Sequence, residues 1–114
     1  MTLQRGDVVL VAFPNSDLTT YKARPALVVQ DLRMETGIPQ VVLVLITSNL
    51  ARRGPTRVFV SANSAAGKKM GLLSDSVVVT DALQTVRRTA IRKKLGACPI
   101  LREVDAALRV TLGL

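Results

Sequence analysis

The chain has 114 residues, 48% of them hydrophobic but only three aromatic, and carries 16 Lys and Arg against eight Asp and Glu, a net charge of +8. It has no histidine and one cysteine, Cys98, which excludes an internal disulfide, a structural zinc site built on Cys and His, and histidine acid–base chemistry. The positive excess favours an anionic partner, nucleic acid or an acidic protein, over a merely soluble basic surface.

The length suits one domain, taken as residues 1–114. The apolar stretch in MTLQRGDVVL is too short and interrupted for a signal peptide. No run approaches the ~20 apolar residues of a membrane span, so no membrane role and a cytoplasmic location are expected. With so few aromatic residues, the core must be built from Val, Leu, Ile and Ala, and valine-rich runs suit a pleated sheet.

Gly6 opens GDVVLVAF, residues 6–13, which predicts the first strand. PNSDLTTYKA, 14–23, is rich in turn formers and predicts a loop. RPALVVQD, 24–31, predicts a second strand, with Pro25 at its start where a missing N–H is tolerated. METGIPQ, 34–40, predicts another loop, and the continuous apolar run VVLVLIT, 41–47, a central strand. SNLARRGP, 48–55, reads as a short loop with room for one helical turn after a Ser or Asn cap. TRVFVS, 56–61, alternates with the two-residue period of a half-buried strand. ANSAAGKKMG, 62–71, is small and polar, with two glycines. SDSVVVTDALQTVRR, 74–88, holds a strand at 77–79 and a further one near 83–86. AIRKKLGACP, 90–99, is basic and broken at Gly96 and Pro99. From Ile100 the period lengthens: Ile100, Leu101, Val104, Ala107, Leu108, Val110 and Leu112 recur every three or four residues, an amphipathic helix with Pro99 suited to its first turn. Five to seven short strands followed by one helix fit a small, bent antiparallel barrel capped by a helix.

RGDVVLVAFP, RPALVVQ, LITSN, LLSDSVVVTDALQTV and the closing helix, in that order, resemble the MazF/PemK toxins of bacterial toxin–antitoxin systems over nearly the whole chain. The resemblance implies an SH3-like β-barrel assembled as a homodimer. It implies a metal-independent endoribonuclease, an mRNA interferase that cuts single-stranded RNA at a specific sequence and needs no cofactor. In that reaction the 2′-hydroxyl attacks the adjacent phosphate, leaving a 2′,3′-cyclic phosphate and a 5′-hydroxyl. The implied partner is an acidic antitoxin that wraps the dimer.

The same resemblance carries roles to particular residues. Arg24 matches the arginine before the family's proline and Thr47 its catalytic threonine. A guanidinium offers several donors in one plane to the extra charge of a pentacoordinate phosphorane, worth on the order of 3 kcal/mol. It holds its proton too tightly to be a good base, so Arg24 is assigned to charge stabilisation and, second, to proton donation. The Thr47 hydroxyl can hold a phosphoryl oxygen in line for attack. Asp81 matches a carboxylate that accepts the proton in the Kid/PemK branch, but Val79 stands where that branch has an arginine and its loop histidine is missing, so Asp81 is a helper at most. In loop 14–23, Asn15, Ser16 and Asp17 can bond base edges and Tyr21 can stack, with Lys22 extending the positive surface.

Ser48 and Asn49 suit phosphate or base contacts, or equally the capping of a turn. Arg52, Arg53 and Arg57, the pair Lys68 and Lys69, and the cluster Arg87, Arg88, Arg92, Lys93 and Lys94 could track an RNA backbone, receive the antitoxin or form a solvated face; among these, Arg52, Arg53 and Arg87 are taken as RNA-binding. Cys98 reads as a small core residue. The competing function is a non-catalytic CcdB-like toxin that binds gyrase, or a nucleic-acid-binding module on the same barrel. A gyrase-binding relative would carry an aromatic at the end of its last helix, which here ends VTLGL.

Overall fold

The computed structural model describes residues 1–114. Its valine-rich runs form six strands: β1 (Asp7–Pro14), β2 (Tyr21–Val28), β3 (Gln40–Thr47), β4 (Arg57–Val60), β5 (Ser76–Arg87) and β6 (Ile91–Ala97). Two helices join them, α1 (Ala65–Lys69) and the C-terminal α2 (Leu101–Leu112). All neighbours in the sheet are antiparallel, in the order β4-β5-β3-β2-β1-β6. No ladder joins the two edge strands, β4 and β6, so the sheet is open where closure into a barrel was expected.

Both faces of the sheet are buried, which explains why its central strands read as unbroken apolar runs. Val8, Leu27, Val44, Ile46, Val78 and Val104 form a core on the face that α2 covers. The alternate residues Val9, Val11, Ala26, Val28, Val41 and Leu43 form a second core, closed by Leu3 and Ile91. A fully buried valine contributes on the order of 1.5–3 kcal/mol.

Several segments differ from expectation. Residues 77–79 and 83–86 are one strand, because Leu45 pairs with Val79 while the next residue, Val44, pairs with Leu83. Thr80, Asp81 and Ala82 therefore bulge out, and a bulge reads as a break in the two-residue period. The basic stretch 90–99 is not a broken connection but contains edge strand β6, paired only with β1. Lysines suit an edge because they discourage pairing with another chain. The small, polar 62–71 contains α1, capped by Ser64, whose Oγ accepts the Gly67 N–H at 3.0 Å. Strand β2 also begins inside the expected loop, at Tyr21, and no helical turn forms in 48–55.

Two glycines let the end of α1 press against β6. Gly71 adopts φ +72°, and a Cβ there would collide with the Leu95 carbonyl; one at Gly96 would collide with the Lys69 carbonyl. This contact sets Lys69, Met70 and Gly71 against Leu95 and Gly96 of β6. At the other end of the chain, α2 starts at Leu101, so Pro99 precedes the helix rather than occupying its first turn. Gly113, at φ +70°, ends it. Arg5 pairs with Asp105 and donates to the Val29 carbonyl at 2.9 Å, tying the N-terminal segment to α2 and the end of β2. No helix is long and apolar enough to cross a membrane.

Candidate active site

The β2–β3 ladder runs from Val28↔Leu43 to Ala26↔Leu45 and stops there, directly before Pro25. Proline has no N–H with which to continue it. Extending the register by two residues sets Arg24 across from Thr47, and strand alternation puts them on one face, with Ala26 and Leu45. The strands part at this point. Between them and β6 lies a groove of about 410 Å³ lined by Lys22, Arg24, Thr47, Ser48, Ser74 and Lys93 among others. The pairing of sequence signals thus has a structural cause: the residue that stops the ladder follows the arginine that the open strand end exposes.

Three cations line this groove and no carboxylate does. None of Lys22, Arg24 and Lys93 forms an ion pair; the paired cations are Arg5, Arg33, Arg57 and Lys94. The field in the groove is therefore positive and uncompensated, which suits a phosphate. Thr47 Oγ1 accepts the Asn49 N–H at 3.1 Å, so its own proton remains available to donate. Ser74 and Lys93 were not singled out as site residues by sequence. No alternation in the sequence marks Lys93, because register shifts at Arg92 and Leu95 put Ile91 against one core and Leu95 against the other.

The other expected site residues divide. Asp81 is not in the groove. Its carboxylate accepts from Thr56 Oγ1 at 3.0 Å and pairs with Arg57 at 3.5 Å, in the β5 bulge. Asp17 is turned inward to its own loop. Its carboxylate accepts the Thr19 and Thr20 N–H groups at 3.0 and 3.2 Å, and these bonds hold its pKa below the usual carboxylate value. Asn15 donates to Thr20 Oγ1 at 2.8 Å in the same turn. Asn49 Oδ1 accepts the Ala51 N–H at 3.0 Å, the turn-capping alternative. Ser16 and Arg52 are exposed, and Arg53 lies over the Phe59 ring at 4.9 Å.

Tyr21, 68% exposed, and Arg87 meet Gln84 and Arg92 at a second groove of about 560 Å³, beside the corner between β5 and β6. The basic cluster 87–94 is therefore split. Lys93 serves the first groove, Arg87 and Arg92 the second, and Lys94 pairs at 3.2 Å with the buried Asp7. Cys98 is buried in the core, and burial raises its thiol pKa. Nowhere do three His, Cys, Asp or Glu side chains converge as a metal site would require.

The fold has counterparts among solved structures. A mycobacterial endoribonuclease in complex with its cognate antitoxin is 25% identical, with a TM-score of 0.74 over 99% of this chain and 97% of that one. A second endoribonuclease structure from a mycobacterial species is also 25% identical, with a TM-score of 0.72 over 100% and 94%. MazF in a MazE–MazF structure from Deinococcus radiodurans has the same fold, with a TM-score of 0.77 at 23% identity over 100% and 98%. No curated relative matches the chain. The model of the PemK-like, MazF-like toxins matches residues 4–112, and the chain belongs to that family of type II toxin–antitoxin toxins.

Proposed function

We propose that this toxin is an endoribonuclease that cuts single-stranded RNA at a specific sequence, without metal, by attack of the 2′-hydroxyl on the adjacent phosphate. The observation that carries the reading is the groove in which Arg24 and Thr47 stand across from one another beside Lys22 and Lys93, with no carboxylate to neutralise them. The two mycobacterial relatives are endoribonucleases of nearly the same length, which supports it.

In this reading Arg24 stabilises the charge that builds on the phosphorane, and Thr47 donates its free proton to a phosphoryl oxygen. Lys22 and Ser48 steady the neighbouring backbone. Tyr21 and Arg87 receive a flanking nucleotide by stacking and charge in the second groove. Asn15 and Asp17 shape the loop between β1 and β2, with Ser16 at its surface. Asn49 shapes the turn after β3, and Arg52 and Arg53 extend the positive field beyond it. Asp81 holds the β5 bulge, and its engagement with Thr56 and Arg57 speaks against a role as proton acceptor.

Residues 1–114 act as one domain, the open sheet being the wall of an SH3-like barrel, and two copies assemble in the cytoplasm. An acidic antitoxin tail occupies the cationic groove. Leu73, on the wall of that groove, is fully exposed and offers an apolar anchor beside the positive charges. The gyrase-binding alternative gains no support from α2, which ends at Leu112 and is followed by Gly113 and Leu114, with no aromatic.

The test is incubation of the purified protein with a long heterogeneous RNA in excess EDTA, with the fragment ends mapped. Cuts recurring at one short sequence, with 2′,3′-cyclic phosphate and 5′-hydroxyl ends, are expected. Cleavage that vanishes in EDTA and returns with magnesium would sink the reading.

A further inference from the structure

Transesterification asks for two things at the scissile phosphate besides an in-line nucleophile. The phosphorane needs its charge stabilised, and the departing 5′-oxygen needs a proton. A guanidinium meets the first need well and the second poorly, because it gives up its proton only with difficulty. The hydroxyl of Thr47 meets neither need fully. No histidine exists in the chain, and no carboxylate lines the groove.

Two ammonium groups line it, Lys22 and Lys93; Lys22 stands two residues before Arg24 on the same strand, whereas Lys93 approaches from the far side of β1. Leu10 of β1 pairs with Pro25 of β2 on one side and with Lys93 of β6 on the other. Lys93 and the Arg24–Pro25 step therefore flank a single intervening strand, about two strand spacings or roughly 10 Å apart. Both line the one groove at the open strand end, and a phosphodiester bound in it lies between their long side chains. Lys93 is exposed and has no carboxylate partner, whereas its neighbour Lys94 is committed to Asp7. An ammonium is a compact charge with three donatable protons, and its neutral amine is accessible in water.

Resting on the endoribonuclease reading above, the geometry points to Lys93 as the general acid of the reaction. The 2′-oxygen forms its bond to phosphorus as its proton passes to water. The bond from phosphorus to the 5′-oxygen breaks, and that oxygen takes a proton from Lys93 Nζ. The neutral amine is then reprotonated from solvent. Arg24 and Thr47 hold the non-bridging oxygens throughout.

The test uses two versions of an oligoribonucleotide that spans the mapped cleavage sequence, one with the natural 5′-oxygen at the cut and one with a bridging 5′-sulfur. A thiolate leaves without a proton. In single-turnover cleavage Lys93→Ala is expected to slow the oxygen substrate by about 100-fold or more, but the sulfur substrate by less than about threefold. Lys93→Arg, which keeps the charge and withholds the proton, is expected to resemble Lys93→Ala on the oxygen substrate. Equal slowing on both substrates, recovery by arginine, or no slowing at all overturns the assignment, while a wild-type protein that still cleaves leaves the endoribonuclease reading standing. A wild-type protein that cuts neither substrate nor the mapped RNA overturns both.

Discussion

Arg24 and Arg57 are both strand arginines set beside a threonine, yet their surroundings differ in one respect that decides their use. Arg57 pairs with Asp81, which Thr56 also bonds, and its side chain is only 18% exposed. Arg24 faces Thr47 across an opening in the sheet and has no acidic partner. The first arrangement is closed: charge meets charge, and what remains is a tie between β4 and the bulge of β5. The second is open, and its charge is left for something from outside. Residue type does not separate the two; the position of a carboxylate does.

The largest effect expected from this contrast is at Arg24 itself. Arg24→Ala should reduce RNA cleavage by at least about 100-fold, since one preorganised donor of this kind is worth on the order of 3 kcal/mol. Thermal unfolding should be unchanged, because the side chain is exposed and unpaired. A folded variant that cleaves within a few-fold of wild type would remove Arg24 from the site. Next comes the salt dependence of the open groove. Three phosphate contacts give a slope of about −2 in log affinity against log salt, or a loss of roughly 20-fold between 50 and 200 mM. An acidic antitoxin tail, held partly by apolar contact at Leu73, should lose less over the same range, and titrations of both ligands would reveal it. Parallel slopes, or tail and RNA bound together, would mean that they do not share the groove.

Thr47→Ala should lower cleavage by about tenfold, less than the arginine does, because a neutral donor holds phosphorane charge less strongly than a charged one. Single-turnover rates measured beside Arg24→Ala would check the order. At the closed sites the expected changes are in stability. Lys94→Ala should destabilise the fold by about 1–3 kcal/mol with little effect on cleavage, since it leaves the buried Asp7 carboxylate with only the Gln4 N–H at 2.9 Å. Denaturant unfolding and a cleavage assay on the same sample would show it. Asp81→Asn should be the mildest: a few tenths of a kcal/mol, from a half-exposed ion pair, and cleavage within about threefold. A 100-fold loss of cleavage there, with the fold intact, would return Asp81 to the chemistry and erase the distinction between the two arginines.

Much of this protein is legible in the sequence. Valine-rich runs require a sheet because β-branched side chains suit a pleated surface, and the longer period after Ile100 requires a helix. Arg24, Pro25 and Thr47 stand out as a strand entry and a strand end with chemistry on them. Register and side-chain partnership are not legible in this way, since they depend on residues distant in the chain. The bulge at 80–82 hides the continuity of β5, because it interrupts the alternation by which strands are recognised. The run Arg92–Lys93–Lys94 looks uniform as text, but a strand sends successive side chains to opposite faces. Only pairing with β1 delivers Lys93 to the groove and Lys94 to Asp7. Composition determined that the molecule would carry excess positive charge on a valine-built sheet. Tertiary structure alone decided which charges are neutralised, because neutralisation requires a carboxylate within a few ångströms, and in this fold only some of the cations have one.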